Sequence, residues 1–312
     1  MKTPTATDIY KVHKRIKPFI NKTPVLTSSY LNQLTGAKLY FKAENFQKVG
    51  AFKYRGATNA VLSLSKTDLK KAVATHSSGN HAAALALAAK KAGTKAYIVM
   101  PNNAPPIKKN AVADYDAIIT FCEPTLEARE TTLQKIIEKT GATFIHPYDN
   151  IDVIKGQGTA CLELINEIPN LDIIIAPVGG GGLLSGTSII AKANSIKIIA
   201  AEPKNANDAY LSLKTNKLVP SINPNTIADG LLTSLSNLTF TIIKNNVDEI
   251  ITVTEQQIID AMRLVWERMK IIIEPSSATV LAVVLANKEQ FATKKVGLII
   301  SGGNVDLKNL PF

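Results

Sequence analysis

The sequence predicts an α/β protein with two interleaved domains of parallel twisted sheets flanked by helices. Three observations lead there. Short runs rich in Ile and Val alternate with longer stretches of helical spacing, the pattern of parallel strands covered on both faces. Several of those runs end in a Gly- or Ser-rich turn that leads into a helix, and in such folds ligands bind beyond the carboxyl ends of the strands. The length, 312 residues, suits one large or two medium domains, and no repeat, low-complexity tract or evident linker separates them into beads on a string.

In chain order, Ile9, Val12, Ile16, Phe19 and Ile20 recur at helical spacing, with Thr7 or Asp8 available as a cap. This basic opening lacks the apolar core of a secretory signal and matches an arginine-rich transit peptide poorly, so a folded helix and a cytoplasmic address are expected. Short apolar runs predict strands at 38–42, 72–75, 96–100, 117–121, 171–178, 197–201 and 296–300. Between them, helical spacing predicts helices at 56–65, 79–91, 126–140, 156–167, 183–193, 255–270 and 276–286.

Composition excludes several classes. With 46% hydrophobic and 20% charged residues the chain has an ordinary globular balance, neither disordered nor collagen-like. It holds no run of about 18 apolar residues, so no membrane-spanning helix is expected. Two cysteines, Cys122 and Cys161, are too few for a disulfide framework or a cysteine zinc site and fit a reducing compartment. The net charge of +11 raises the question of nucleic acid, an anionic membrane surface or anionic small molecules. Only Arg15, Arg55, Arg129, Arg263 and Arg268 are arginines, so lysine supplies the other 31 of 36 basic residues. Planar recognition of phosphates and bases favours arginine, and the lysines scatter as pairs such as Lys70-Lys71. They read as solvated helix faces, with no nucleic-acid or membrane partner expected. A basic nucleic-acid-binding protein is the alternative from a different class.

Four segments carry chemistry. Ala176-Pro-Val-Gly-Gly-Gly-Gly-Leu-Leu-Ser-Gly186 follows a strand and opens a helix, leaving backbone N–H groups and a helix dipole for a phosphate. Leu183 and Ser185 stand where a dinucleotide fingerprint needs glycine, and Thr187 where a P-loop needs lysine; a tight packing turn is the plainer alternative. Thr75-His-Ser-Ser-Gly-Asn-His81 suits a carboxylate held by main-chain amides, or simple capping by Ser77 or Ser78; His76 and His81 lack a third nearby metal ligand. In Val49-Gly-Ala-Phe-Lys-Tyr-Arg-Gly56, Lys53 lies among small and aromatic neighbours, where burial would free a neutral amine to attack a carbonyl. Ser301-Gly-Gly-Asn-Val-Asp306 is a further Gly-rich strand end. Together they fit a phosphorylated aldehyde cofactor held by a phosphate cradle and a Schiff-base lysine.

The segment Phe41-Lys-Ala-Glu-Asn-Phe-Gln-Lys-Val-Gly-Ala-Phe-Lys-Tyr-Arg-Gly-Ala57 resembles the pyridoxal-phosphate attachment site of the serine/threonine dehydratase family, and Ser77–His81, Gly179–Gly182 and Ser301–Asn304 match that family's other motifs in order. Leu26–Gly36, Val265–Lys270 and Ile273–Ser276 resemble its serine racemase and 3-hydroxyaspartate dehydratase subgroup. The resemblance implies a fold-type II enzyme, like the β subunit of tryptophan synthase, with residues 1–66 and 150–312 as the large domain and 67–149 as the small one. It implies that Lys53 holds pyridoxal 5'-phosphate and acts as base on one face of the substrate, with Ser78 as the acid/base group of the other. It places Phe52, Asn80, Gly179, Gly180, Gly181, Gly182, Glu274 and Ser301 around the cofactor, Ser301 at its pyridine nitrogen. Ser77, Ser78, Gly79, Asn80, His81 and Arg129 are implied for substrate. A divalent cation, Mg2+ or else Mn2+ or Ca2+, is implied at Glu202, Asp208 and the Ala206 carbonyl, and ATP as an effector near Lys48, Lys270 and Asn304.

The implied activity is racemisation of serine, β-elimination of water from L-serine to pyruvate and ammonia, or both. The runner-up is a threonine or threo-3-hydroxyaspartate ammonia-lyase; a cysteine-synthase-like β-replacement enzyme fits less well. A homodimer is implied as well. Ala51 replaces the family's serine or threonine before Phe-Lys, and Val49 replaces a polar residue frequent in nucleotide-regulated relatives. The chain ends soon after Asn304, leaving no room for a C-terminal regulatory domain, so feedback inhibition by isoleucine is not expected.

Overall fold

The computed structural model describes residues 3–77, 79–104 and 106–312, apart from the side chains of Pro106 and Ile107; Ser78 lies outside the described residues. The strands, in chain order, are β1 (Val25–Leu26), β2 (Lys38–Ala43), β3 (Val73–His76), β4 (Ala96–Pro101), β5 (Ile118–Cys122) and β6 (Thr143–Phe144), then β7 (Ile173–Pro177), β8 (Lys197–Pro203), β9 (Glu249–Val253) and β10 (Lys295–Ile300). Six form one sheet in the order β1-β2-β10-β7-β8-β9, and four form a second in the order β5-β4-β3-β6. Every neighbouring pair is parallel except β1 with β2. The smaller sheet comes entirely from chain between β2 and β7.

The helices are α1 (Ala6–Ile16), α2 (Ser29–Thr35), α3 (Lys53–Leu62), α4 (Lys66–Lys71), α5 (Asn80–Lys91), α6 (Pro106–Ala113) and α7 (Leu126–Thr140). Then follow α8 (Ile151–Glu167), α9 (Gly182–Ala193), α10 (Asp208–Thr215), α11 (Asn237–Asn246), α12 (Glu255–Met269), α13 (Pro275–Ala286) and α14 (Lys288–Phe291). Alternation along the strands sends residues to opposite faces. Phe41, Ile175, Ile199 and Leu298 pack toward α12 and α13, while Ile174, Ile198 and Ile299 pack toward α8 and α9. Each such buried branched or aromatic side chain contributes about 1.5–3 kcal/mol.

Some sequence expectations need correction. The cap of α1 is Thr5, not Thr7 or Asp8: Thr5 accepts from the Asp8 N–H, and Asp8 accepts from the Thr5 N–H to complete a capping box. Helix α3 begins at Lys53 rather than 56, and α8 at Ile151, capped by Asn150, rather than 156. The sequence reading missed β1, β6 and β9; the first two have only two residues each, and β9 is an edge strand that is half-buried at three of five positions.

Helix α8 is wedged between α3 and α9 at glycines. A Cβ on Gly156 would lie 2.6 Å from both the Arg55 carbonyl oxygen and Gly56 Cα, and one on Gly158 would lie 2.8 Å from the Gly186 carbonyl oxygen. The helix that begins with Lys53 and the helix that begins with the four-glycine turn thus both meet α8 at backbone contact.

Candidate active site

The site assembles where the carboxyl ends of β2, β10 and β7 meet the start of α3, α13 and α9. After β2 the chain makes a turn in which Val49 and Gly50 both take left-handed φ, 58° and 68°. The turn is stitched to the end of β10. Phe52 donates to the Ser301 carbonyl at 2.9 Å, Gly303 donates to the Gly50 carbonyl at 2.9 Å, and Ala51 bridges Gly302. The Lys53 loop and the Ser301-Gly-Gly turn, some 250 residues apart in sequence, are one structure.

Lys53 extends its Nζ to the Pro147 carbonyl at 3.1 Å and over the Phe52 ring at 5.2 Å. Enclosure lowers its ammonium from the ordinary lysine value to about 8, against the opposing pull of Glu274. A sizeable fraction of neutral amine near neutral pH follows.

The glycine turn lies on the other side of the same Pro147-Tyr148 segment. A Cβ on Gly180 would fall 2.3 Å from the Tyr148 ring and one on Gly182 2.9 Å from Tyr148 Cβ, while one on Gly179 would meet Leu231 Cα at 2.8 Å. Gly181, with φ 85°, caps α9, and among the described residues no side chain bonds the first N–H groups of that helix. Backbone N–H groups at the head of this twelve-residue helix suit a phosphate.

Ser301 is buried, and its Oγ meets Ser277 Oγ at 2.9 Å; Ser277 also bonds both the N–H and the carbonyl of Gly302. The acid nearby is Glu274, the cap residue of α13, whose carboxyl accepts from Asn80 Nδ2 at 3.1 Å and from the Asn304 N–H at 3.1 Å. Burial, with Asp229 adding, pushes Glu274 up to about 7. Asn304 closes the loop, donating to Asn80 Oδ1 at 2.9 Å and the Val49 carbonyl at 2.7 Å.

Asn80 opens α5, and Gly79 before it has an open backbone with Ser77 Oγ 3.4 Å from its N–H. His81 is buried with Nε2 3.1 Å from the Ile145 carbonyl, which fixes the proton on Nε2. Burial and nearby Lys53 lower this imidazole to about 3, and His146 falls to about 4, chiefly by burial. Both rings are neutral at pH 7.

Lys53, Phe52, Ser77, Gly79, Asn80, Gly179–Gly182, Glu274, Ser301 and Asn304 thus form one ring of contacts or border it, with His81 beside them. Arg129 stands apart on α7, bonded back to the Thr125 carbonyl at 3.3 Å. Lys48 donates to the Phe19 carbonyl and lies over the Tyr54 ring, and Lys270 is an exposed residue ending α12; among the described residues no contact joins these two to Asn304. Beside Asn304 and Asn80 lies a cleft of about 710 Å³ that also touches Val49, Lys108 and Tyr115, and a Lys108–Asp229 ion pair lies at its wall.

Glu202, Ala206 and Asp208 form a separate cluster past β8. Glu202 accepts from the Ala209 and Tyr210 N–H groups at 2.8 Å each, and Asp208 Oδ2 is buried with no hydrogen-bond partner among the described residues. Burial pushes Glu202 to about 8 and Asp208 to about 6. Two buried carboxylates with an unsatisfied oxygen and a nearby backbone carbonyl suit a hard cation.

Sequence reasoning missed Pro147-Tyr148, Gly230-Leu231 and Ser277. Their position just after β6, or at a helix start, was the available signal, but β6 is too short to announce itself.

The family model described as pyridoxal-phosphate dependent enzyme matches residues 16–302. The chain is 56% identical to a serine racemase of Dictyostelium discoideum over 99% of its own length and 98% of that protein's, and the crystal structure of that racemase superposes with TM-score 0.94, covering 98% of this chain and 100% of the other. It is 50% identical to a beta-hydroxyaspartate dehydratase of Paracoccus denitrificans, with 100% of each chain covered. A threonine deaminase of T.th. superposes with TM-score 0.93 at 40% identity, over 97% of this chain and 99% of that one.

Proposed function

The chain belongs to the pyridoxal-phosphate-dependent enzyme family, and from that premise we propose that it racemises serine, eliminates water from L-serine to give pyruvate and ammonia, or does both. The observation that carries this reading is the ring in which the enclosed Lys53 amine and the open glycine turn border one segment while a serine hydroxyl ends β10. Those residues fit the cofactor: Lys53 for its aldehyde carbon, Gly179–Gly182 for its phosphate, Ser301 for its pyridine nitrogen, with Phe52, Asn80 and Glu274 around it. Held there, pyridoxal phosphate would supply an electron-drawing ring that makes the Cα–H of an amino acid more acidic.

The protein's own residues do the rest. The Ser77–His81 loop holds and orients the substrate carboxylate, and Arg129 of α7 steadies the domain that carries it. Lys53 Nζ takes the Cα proton on one face and, in the return direction, delivers it there; Ser78 exchanges a proton on the opposite face. Racemisation needs both groups, whereas elimination needs only the first abstraction and departure of the β-hydroxyl. Ser301 would bring a neutral hydroxyl to the pyridine nitrogen, where a carboxylate would keep it protonated, and would so temper the electron-drawing chemistry that the group supplies.

A substrate panel of L-serine, D-serine, L-threonine and threo-3-hydroxyaspartate, scored for keto acid and enantiomer together, tests this. Keto acid from serine, or D-serine from L-serine, is the expected result; activity on threonine or hydroxyaspartate alone would transfer the assignment to the second reading, which the dehydratase and deaminase relatives favour. Ser78→Ala is expected to cut racemisation by about 10²-fold or more and elimination from L-serine far less.

We also assign Mg2+, or Mn2+ or Ca2+ in its place, to Glu202, Asp208 and the Ala206 carbonyl, supported by the unpartnered Asp208 oxygen. Adding Mg2+ to EDTA-treated protein should raise Tm, and Asp208→Asn should remove the rise. ATP is assigned to the cleft beside Asn304 as an effector. A homodimer fits the face where Phe19, Phe46 and Ile272 remain 40%, 47% and 47% exposed, tied together by Lys48 on the Phe19 carbonyl, Asn21 on the Phe46 carbonyl and Asn45 on the Ile272 carbonyl. Among the described residues no helix is long and apolar enough to cross a membrane. Residues 67–149, around the smaller sheet, serve as the small domain of this reading, and the cytoplasm, supported by two free cysteines, as its address.

A further inference from the structure

Arg55 stands two residues past Lys53, on the first turn of α3, and is fully buried. All of its N–H donors are used. The Nε and Nη2 edge forks onto Glu44 at 2.7 and 2.8 Å; Nη1 and Nη2 fork onto Glu163 of α8 at 2.8 Å each. The remaining Nη1 donor reaches Thr159 Oγ1 at 3.3 Å. Lys42 of β2 adds a second cation, 2.7 Å from Glu163 and 2.6 Å from the Thr23 carbonyl. Two cations and two carboxylates balance inside the protein, with His13 3.9 Å from Glu163 at the edge.

Stability does not explain such a cluster. Taking ions out of water costs so much that apolar replacements of the same volume are often neutral or better. What a guanidinium supplies and apolar groups cannot is direction: two planar forks define both the depth and the rotation of the residue that carries them. Nor does the cluster trade protons with the site. Burial pushes Glu163 up, but Arg55 and Lys42 win and hold it near 2.

We propose that Arg55 is a positioning residue for the lysine chemistry: its double fork onto Glu44 and Glu163 sets the first turn of α3, and so where Lys53 Nζ stands relative to the glycine turn. This rests on the reading that Lys53 holds pyridoxal phosphate.

In the full-length protein loaded with pyridoxal phosphate, Arg55→Lys keeps the charge and removes the forks. The visible, borohydride-sensitive band should still form, because Lys53 is intact, but its pH midpoint should move by about half a unit or more. The value of kcat should fall about 10- to 100-fold, with KM changed less than about threefold. Phe291→Leu, a buried change under the far end of the large sheet, is the structural control. If Arg55→Lys shifts midpoint and kcat no more than this control does per degree of Tm lost, the positioning role is overturned. Should Arg55→Lys not fold, Glu44→Gln, which keeps shape and one acceptor, must move the midpoint in its place; an unmoved midpoint there overturns the role as well. A wild-type protein without the band overturns instead the reading beneath the proposal.

Discussion

Lys53→Ala yields a protein that gains no borohydride-sensitive visible band on incubation with pyridoxal phosphate and whose activity on every amino acid of the panel falls by about 10³-fold or more. Two functions are lost together: the covalent hold on the cofactor and the base on one face of the substrate. The Nζ hydrogen-bonds only the Pro147 carbonyl among the described residues, and Glu274, the buried acid that pulls on it, keeps its Asn80 and Asn304 donors, so Tm should fall little. The native protein provides the complementary measurement. Because enclosure brings the Lys53 ammonium down to about 8, the neutral, nucleophilic amine grows as pH rises through that value. Apo-protein should therefore capture pyridoxal phosphate faster at pH 9 than at pH 7, by roughly the ratio of neutral amine fractions, about tenfold. A flat rate across that range would show that some other group limits capture.

Gly156→Ala is expected to be among the most damaging substitutions outside the ring of contacts. The new methyl meets backbone, not a flexible side-chain tip, at 2.6 Å, so α3 and α8 must separate. Overpacking of this kind costs about 1–3 kcal/mol or more, a Tm loss of several degrees. Displacing α3 also displaces Lys53, so affinity for pyridoxal phosphate should weaken by about tenfold or more. Gly93→Ala is the informative comparison. Nothing lies within 4 Å of its added methyl, but its φ is 69°, a strain of about 1–2 kcal/mol. It should lower Tm and leave cofactor affinity alone. Thermal denaturation and fluorescence titration with the cofactor separate the two, and equal affinities would remove the wedge as a determinant of the site.

Much of this arrangement was legible in the residues. Strands β2, β7, β8 and β10 announce themselves because central parallel strands are buried on both faces and must be written in Ile, Leu and Val. Gly179–Gly182 and Ser301 were legible as candidates because each stands at a strand end where special backbone geometry leaves a local mark, and Lys53 because small and aromatic neighbours surround it. What stayed hidden depends on partners distant in sequence. Resemblance alone places Glu274 near the cofactor; its own stretch of sequence reads as an ordinary acid before a proline, and its bond from Asn80, 194 positions away, has no local mark. The Arg55–Glu163 fork spans 108 positions, and Tyr148 acquires meaning only from the glycine it lies against. The helix starts were misplaced for two reasons: α3 begins at Lys53 because tertiary contacts hold its first turn, whereas α8 begins at Ile151 on a local cap, Asn150, that the reading overlooked.

One consequence concerns the order in which the chain is made. Strand β10 lies between β2 and β7 in the large sheet, yet it follows every other strand in sequence. A nascent chain emerging from the ribosome therefore carries Lys53 on a loop with no partner turn and a sheet with its middle missing, an exposed edge prone to wrong pairing. Residues 295–303 fill that gap and supply the turn that fastens the lysine loop in a single late event. Competence to take up cofactor should thus appear all at once when residues 295–303 emerge, and the interval before that is when the growing chain most needs a chaperone.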